Sequence, residues 1–318
     1  MAGTETIDAE HRVLLQACGL LDRSERGKLA LSGAGAVEFL NGQVTNELDG
    51  LADGEGRYAA FLTHKGKMLG DLRVLATGDE LLLDTERAAL QDLFDMIRRF
   101  KIGYAVELHK RTVERGLISL IGPRAFAIAK ADELSDADEH THRALEIDGT
   151  IARAIRTDVG LDLLCEAADT EALTAALRER GAQPVGEEAA ECLRIERGRP
   201  RYGVDLDDSV IPQEAGLNER AVSFTKGCYV GQETVARLFY KGKPNRHLRG
   251  LRLSEPVAAA QQELFLGEKA VGRLTSATVS PTLGPIGLAL VRREAEPGTT
   301  IAVGAANLTA EVVELPFA

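Results

Sequence analysis

One discontinuity in texture limits the architectures open to this chain. Up to about residue 240, stretches with helical spacing alternate with strand-like runs, and from Lys241 onward there is no clear helix. The segment KGKPNRHLR (241–249), with its glycine and proline, reads as a linker, and short β-rich segments divided by Gly and Pro follow it. That pattern predicts a small all-β domain or barrel at the C-terminal end. The expected division is residues 1–240 and 241–318, in line with the two or three domains that 318 residues favour.

The first part reads as α+β. In LALSGAGAVEFLNGQVTNEL (29–48) a short apolar strand runs through a Gly-rich turn into a helix with Phe39 and Leu40 on its apolar side. A dinucleotide fingerprint is rejected there, because Glu38 stands where a third glycine is needed and would face a pyrophosphate. Residues 57–85 read as three strands separated by HKGK and TGDE turns, and 87–100 as a helix with Leu90, Leu93, Phe94 and Ile97 on one face. A strand follows at 117–122, and the acidic stretch 131–142 reads as a solvated connection. Next come a hairpin (151–157 and 161–167), a helix from Thr170 as N-cap to Gly181 as stop signal, and a helix over 187–198.

Composition excludes several function classes. No run approaches the roughly 18 uncharged apolar residues of a membrane span. A net charge of −11, with acids and bases interspersed, disfavours broad nucleic-acid binding. The first residues carry neither a basic leader nor an apolar stretch, so a cytoplasmic location is expected. No two of Cys18, Cys165, Cys192 and Cys228 have the close spacing of a zinc or iron–sulfur clamp, so no metal site is assigned.

Three residues stand out for chemistry. Cys228, in KGCYVGQE (226–233), lies two residues from Lys226 and just before a helix expected over Gln232–Phe239 with Gly231 near its N-cap. Both features favour a thiolate, while a buried structural thiol is the plain alternative. Asp71 interrupts an apolar strand beside Leu69, Leu72 and Val74, so it either faces water or is needed there. Glu196 sits near the negative end of its helix, with Arg194 and Arg197 as ordinary ion-pair partners. The basic run Lys241, Lys243, Arg246 and Arg249 reads as a solvated linker or a contact for phosphate or a polyglutamate tail.

Taken together, SGAGAVEFLNGQVTN, AAFLTHKGKMLGDLRVL, CLRIERGRPRYGVDLDDSVIPQEAGL and KGCYVGQETVAR resemble the YgfZ family of folate-binding proteins, within the wider glycine-cleavage T-protein (aminomethyltransferase) superfamily. The resemblance implies a cloverleaf of two interleaved α+β lobes with a C-terminal β-barrel and tetrahydrofolate in a central hole. It implies that Glu196 grips the pteridine edge, a charge-assisted bidentate arrangement. Asp71 falls where T-proteins keep a catalytic aspartate, although Gly70 precedes it where they often have a second acid. The chain has no tryptophan to flank the pterin, which leaves Tyr202 or Arg26 for stacking. Lys226 completes the expected folate-binding set, and Cys228 is expected to be catalytic.

Two functions follow from the resemblance. One is a folate-binding accessory protein for iron–sulfur cluster assembly or repair, with iron–sulfur client or assembly proteins as partners and indirect effects on tRNA modification. The alternative is a tetrahydrofolate-dependent aminomethyltransferase, in which Asp71 steers a proton.

Overall fold

The structure, a computed structural model, describes residues 2–257, 259–304 and 308–317. α1 (Ala2–Gln16) leads into β1 (Gly19–Asp22). A first lobe then forms from β2 (Gly27–Ser32), α2 (Ala36–Asn41), β3 (Gly56–Leu62), β4 (Met68–Ala76), β5 (Glu80–Thr85), α3 (Leu90–Phe100) and β6 (Glu107–Lys110). Its antiparallel sheet has the order β3-β4-β5-β2-β6. The three expected strands and the helix after them are all present. Leu93, Met96 and Ile97 of α3 pack into the lobe's core, where Phe39 and Leu40 of α2 are fully buried.

The second lobe contains β7 (Arg115–Ile121), α4 (Ala125–Ala129), β8 (His142–Ile147), β9 (Thr150–Thr157), β10 (Gly160–Glu166), α5 (Thr170–Glu179), β11 (Gln183–Pro184) and α6 (Glu187–Glu196). Its sheet runs β11-β1-β7-β10-β9-β8. β1 therefore belongs to this lobe although the whole first lobe separates it from β7: Leu20 faces Leu120 on one side and Pro184 on the other. The lobes are interleaved in the chain.

Two local expectations are corrected. The stretch 131–142 is no solvated connection, because Leu134, His140 and His142 are buried and the His140 N–H bonds the Arg156 carbonyl at 2.9 Å. The acidic side chains mask a segment anchored by its backbone. At α5, Asp169 rather than Thr170 occupies the N-cap and makes no side-chain cap, while Gly181 turns the chain at φ +101 as the stop signal requires.

α7 (Asn218–Ala221) and α8 (Gln232–Lys241) connect the lobes to β12 (Arg246–Leu253), β13 (Glu263–Leu266), β14 (Lys269–Ser280), β15 (Gly284–Arg292), β16 (Thr300–Val303) and β17 (Leu308–Val313), which form a closed barrel. Closure leaves no free sheet edge. The barrel docks through a buried aspartate: Asp205 accepts hydrogen bonds from Thr275 (2.6 Å) and Ser276 (2.7 Å) of β14 and pairs with Arg194 of α6 at 2.7 Å.

KGCYVGQE joins this framework through its glycine. Gly231 adopts φ +84 at the N-cap of α8, and a Cβ there would lie 2.6 Å from the Thr63 carbonyl. Only glycine permits both that dihedral and that approach. The motif is thereby clamped to the THKGK turn between β3 and β4.

Candidate functional site

Where the two sheets face one another, with α6 and the 200–220 connection beside them, lies a cavity of about 210 Å³. Its walls are unusually ionic. Arg26 pairs with Asp84 (2.9 Å) and with Glu86; Arg73 bridges Asp84 (2.7 Å) and Asp162 (2.6 Å); Arg201 reaches Glu86, Glu187 and Glu191; Arg194 holds Glu191, and Arg220 holds Glu139. The Arg73–Asp162 contact links β4 of one lobe to β10 of the other. Burial alone would push Asp84 up, but Arg26 and Arg73 more than offset it and hold its carboxyl well below the usual range.

Asp71 differs from these acids. It is 6% exposed, projects from β4 into the cavity, and has no ion pair among the described residues. The Tyr58 hydroxyl of neighbouring β3 donates to its Oδ2 at 2.7 Å, and Oδ1 accepts no protein hydrogen bond among the described residues. Burial pushes its pKa up to about 6; the Tyr58 hydrogen bond lowers it and nearby Glu86 adds to the rise. A carboxyl that titrates near neutrality at the wall of a cavity is suited to proton transfer. Beside Tyr58, with ring centroids 6.2 Å apart, His140 is held well below its ordinary pKa by burial first and then by Arg73 and Arg220, so its imidazole is neutral.

The residues singled out by sequence separate into two groups. Asp71, Arg26 and Tyr202 line the cavity. Arg26 has its guanidinium occupied by Asp84 and Glu86, and Tyr202 is 8% exposed. Glu196 does not line it. The carboxylate turns to the other side of α6, where His11 of α1 (2.9 Å) and Ser280 of the barrel (2.5 Å) bond it. The α6 side chains in the cavity wall are Glu191 and Arg194, so the pteridine-gripping role expected of Glu196 has no geometric support.

Lys226 is also placed elsewhere. Its ammonium donates to the carbonyls of Asn41 (2.7 Å), Val44 (2.9 Å) and Asn46 (2.6 Å), and burial lowers its pKa to about 8. The residue ties the end of α2 to the KGCYVGQE segment and neither lines the cavity nor faces the thiol. Lys226→Met leaves three carbonyls without that partner, with an expected loss of about 2 kcal/mol. The loss would be read as a lower urea midpoint at unchanged ligand affinity, and a midpoint equal to the native one refutes the structural role. Cys228 is exposed and outside the cavity lining, whereas Cys18, Cys165 and Cys192 are buried.

Sequence reasoning missed Asp84 and Asp162, although the signal that raised Asp71 was present at both: an aspartate inside an apolar strand, as in ELLLDT and GLDLLCE. His140 and Glu139 were missed because they sit in the segment read as solvated.

Residues 3–226 match the GCVT N-terminal domain, and residues 246–318 match the glycine cleavage T-protein C-terminal barrel domain. The chain belongs to the glycine cleavage T-protein (aminomethyltransferase) superfamily. Similar T-protein relatives include an aminomethyltransferase of Rubrobacter xylanophilus, 30% identical over 98% of this chain and 86% of that protein. Another, from Streptomyces avermitilis, is 32% identical over 97% and 88%. The glycine cleavage system aminomethyltransferase T of Bartonella henselae has the same T-protein fold, with a TM-score of 0.86 over 98% of this chain and 89% of that one, at 24% identity. Among the described residues no helix is long and apolar enough to cross a membrane.

Tetrahydrofolate is the cofactor of the GcvT aminomethyltransferase family. The residues present fit it. A pterin edge offers N–H donors, and the cavity presents Asp71 Oδ1 as an acceptor that no protein donor occupies among the described residues. About 210 Å³ is below the roughly 300–1,000 Å³ of pockets for drug-sized ligands, so the cavity suits the ring part and leaves the tail outside it.

Proposed function

We propose that this protein is a tetrahydrofolate-dependent aminomethyltransferase that takes a one-carbon unit from an aminomethylated thiol carrier, with the freed thiol and ammonia as the other products. The observation that carries the reading is Asp71: a buried carboxyl facing the cavity, fixed by Tyr58 and titrating near pH 6, with one oxygen left for a ligand. Tetrahydrofolate, when bound, supplies the amine that accepts the one-carbon unit. Asp71 holds the proton exchanged with the reacting amine, Tyr58 orients the carboxylate, and the neutral His140 keeps a further positive charge out of the pocket. The ionic walls keep the constellation in place without borrowing Asp71 for a salt bridge.

The test combines binding with turnover. Calorimetry should detect binding of tetrahydrofolate, and an aminomethylated thiol carrier should release ammonia only when tetrahydrofolate is present. Binding without any such release would remove the transferase reading.

A second reading has one observation in its favour. Of the four cysteines Cys228 alone is exposed, in a KGCYVGQE motif resembling the YgfZ signature. An accessory role for iron–sulfur enzymes would use that accessible thiol on a client. Cys228→Ser separates the two: a transferase keeps its ammonia release, whereas an accessory protein loses its support of iron–sulfur enzyme activity in cells.

A further inference from the structure

α6 turns a second face away from the cavity, and that face carries ligand chemistry of another kind. Cys192 and Glu196 stand four residues apart, one above the other on the helix. His11 of α1, which packs along α6, meets them from the other side: its Nε2 lies 2.9 Å from Glu196 Oε2, and the Cys192 thiol lies 3.7 Å from Oε1. The nitrogen, the sulfur and a carboxylate oxygen are all within 4.8 Å of one another. A single ion with bonds of about 2.0–2.3 Å closes that spread by small side-chain rotations. Outer support is also in place. Ser280, at the end of β14, donates to Glu196 Oε1 at 2.5 Å, and its own oxygen accepts the N–H groups of Thr282 and Leu283, which fixes its position. Thr282 is exposed and reaches the same carboxylate oxygen at 3.4 Å, so the cluster meets solvent on the barrel side. Burial first, and then Glu196 and Asp8, push the Cys192 thiol up to about 12; the acids' share of that rise marks a negative potential that a cation relieves.

We propose that His11, Cys192 and Glu196 form a binding site for a divalent metal of the zinc class, with water in the fourth position on the Thr282 side. One nitrogen, one sulfur and one oxygen donor suit a borderline ion rather than magnesium or calcium, which take oxygen ligands. Loading forms metal bonds to Nε2, Sγ and a carboxylate oxygen, sends the thiol proton to solvent, and leaves the neutral imidazole with its proton on Nδ1. No oxidant or reductant takes part. The spacing of the cysteines gives no sign of such a site, because its ligands converge from positions 11, 192 and 196. The site stands independently of the folate reading. Its consequence is mechanical: the three ligands and Ser280 tie α1, α6 and the barrel to one point.

Zinc and cobalt(II) are the probes. Tag-free, full-length protein stripped of metal should take up a single zinc ion per chain in competition with a chromogenic chelator, and its thermal midpoint should rise as zinc is added. Cobalt(II) in its place should give thiolate-to-metal absorption in the near ultraviolet. Cys192→Ser should abolish that absorption and weaken zinc about a hundredfold, and Glu196→Gln, which keeps an oxygen for Ser280, should weaken zinc about tenfold or more. Cys228→Ala removes the exposed thiol and should leave both readouts unchanged. Thermal midpoints without metal report the fold of each variant. Absence of zinc uptake by the native chain, cobalt absorption that survives Cys192→Ser, or uptake that is lost with Cys228→Ala overturns the site and leaves a hydrogen-bonded contact between two helices and the barrel.

Discussion

Asp71→Asn should abolish most of the turnover while making the protein more stable at pH 7.5. The rate effect follows from removing the group that exchanges the proton, a contribution of about 10²–10⁴-fold for general acid–base catalysis. Tetrahydrofolate binding should persist, since asparagine still accepts the Tyr58 hydrogen bond.

The stability effect follows from linkage. Asp71 has a folded pKa of about 6, above its ordinary value of 3.8, so the native state holds its proton more tightly than the unfolded chain. Stability from this group is fully present below about pH 4 and is lost as the pH rises through 6. The ionised form costs roughly 3 kcal/mol above that window, and asparagine removes most of the cost. Native activity should correspondingly fall as the pH drops below 6. The checks are ammonia release, its pH profile and urea melts of both proteins. A variant that is inactive and also less stable would assign Asp71 to the scaffold, and one that retains turnover would remove it from the chemistry.

Arg73→Met should be the most damaging single change in the cavity wall. Its guanidinium lies 2.7 Å from Asp84 and 2.6 Å from Asp162, all three nearly buried. Removing one member of a buried ionic cluster leaves charge without compensation and costs about 3–5 kcal/mol. Asp84 keeps Arg26, so Asp162 bears most of the loss, with Ser119 as its remaining partner at 2.6 Å. Arg73→Met combined with Asp162→Leu should therefore recover part of the deficit. Urea unfolding with an unchanged slope measures both effects. A shift below about 1 kcal/mol for the single variant would show the bridge between the lobes to be energetically idle.

The linkage at Asp84 has the opposite sign from that at Asp71. Its folded pKa is depressed, so its contribution is present above the ordinary aspartate pKa and is lost as the pH falls.

The fold was largely legible in the sequence because its signals are local. The strands of 57–85, the helix carrying Leu93 and Ile97, and the helix-free barrel region each reveal themselves by period or by punctuation. The site was legible only in part. Helical spacing shows that Glu191 and Arg194 share one face of α6 and that Cys192 and Glu196 share another, but which face turns to the cavity is set by packing against α1 and the barrel. Glu196 was therefore read into a pocket it does not line. Lys226 shows the same limit, since a lysine beside a cysteine in sequence spends its charge on three carbonyls some 180 residues away. Asp71 was recoverable because a carboxylate inside an apolar strand is costly wherever the strand packs.

The placement of β1 also shapes how the molecule is made. A nascent chain emerging from the ribosome produces Gly19–Asp22 first, yet its hydrogen-bonding neighbours, Ile118–Ile121 and Gln183–Pro184, are synthesised about a hundred and more than a hundred and sixty residues later. Until then the early strand is an unmatched edge, and the intervening lobe is itself incomplete, since its core includes Val210, Val235 and Ile286 from later in the chain. Long-range closure of this kind slows maturation, and no cut between the lobes yields two self-sufficient fragments.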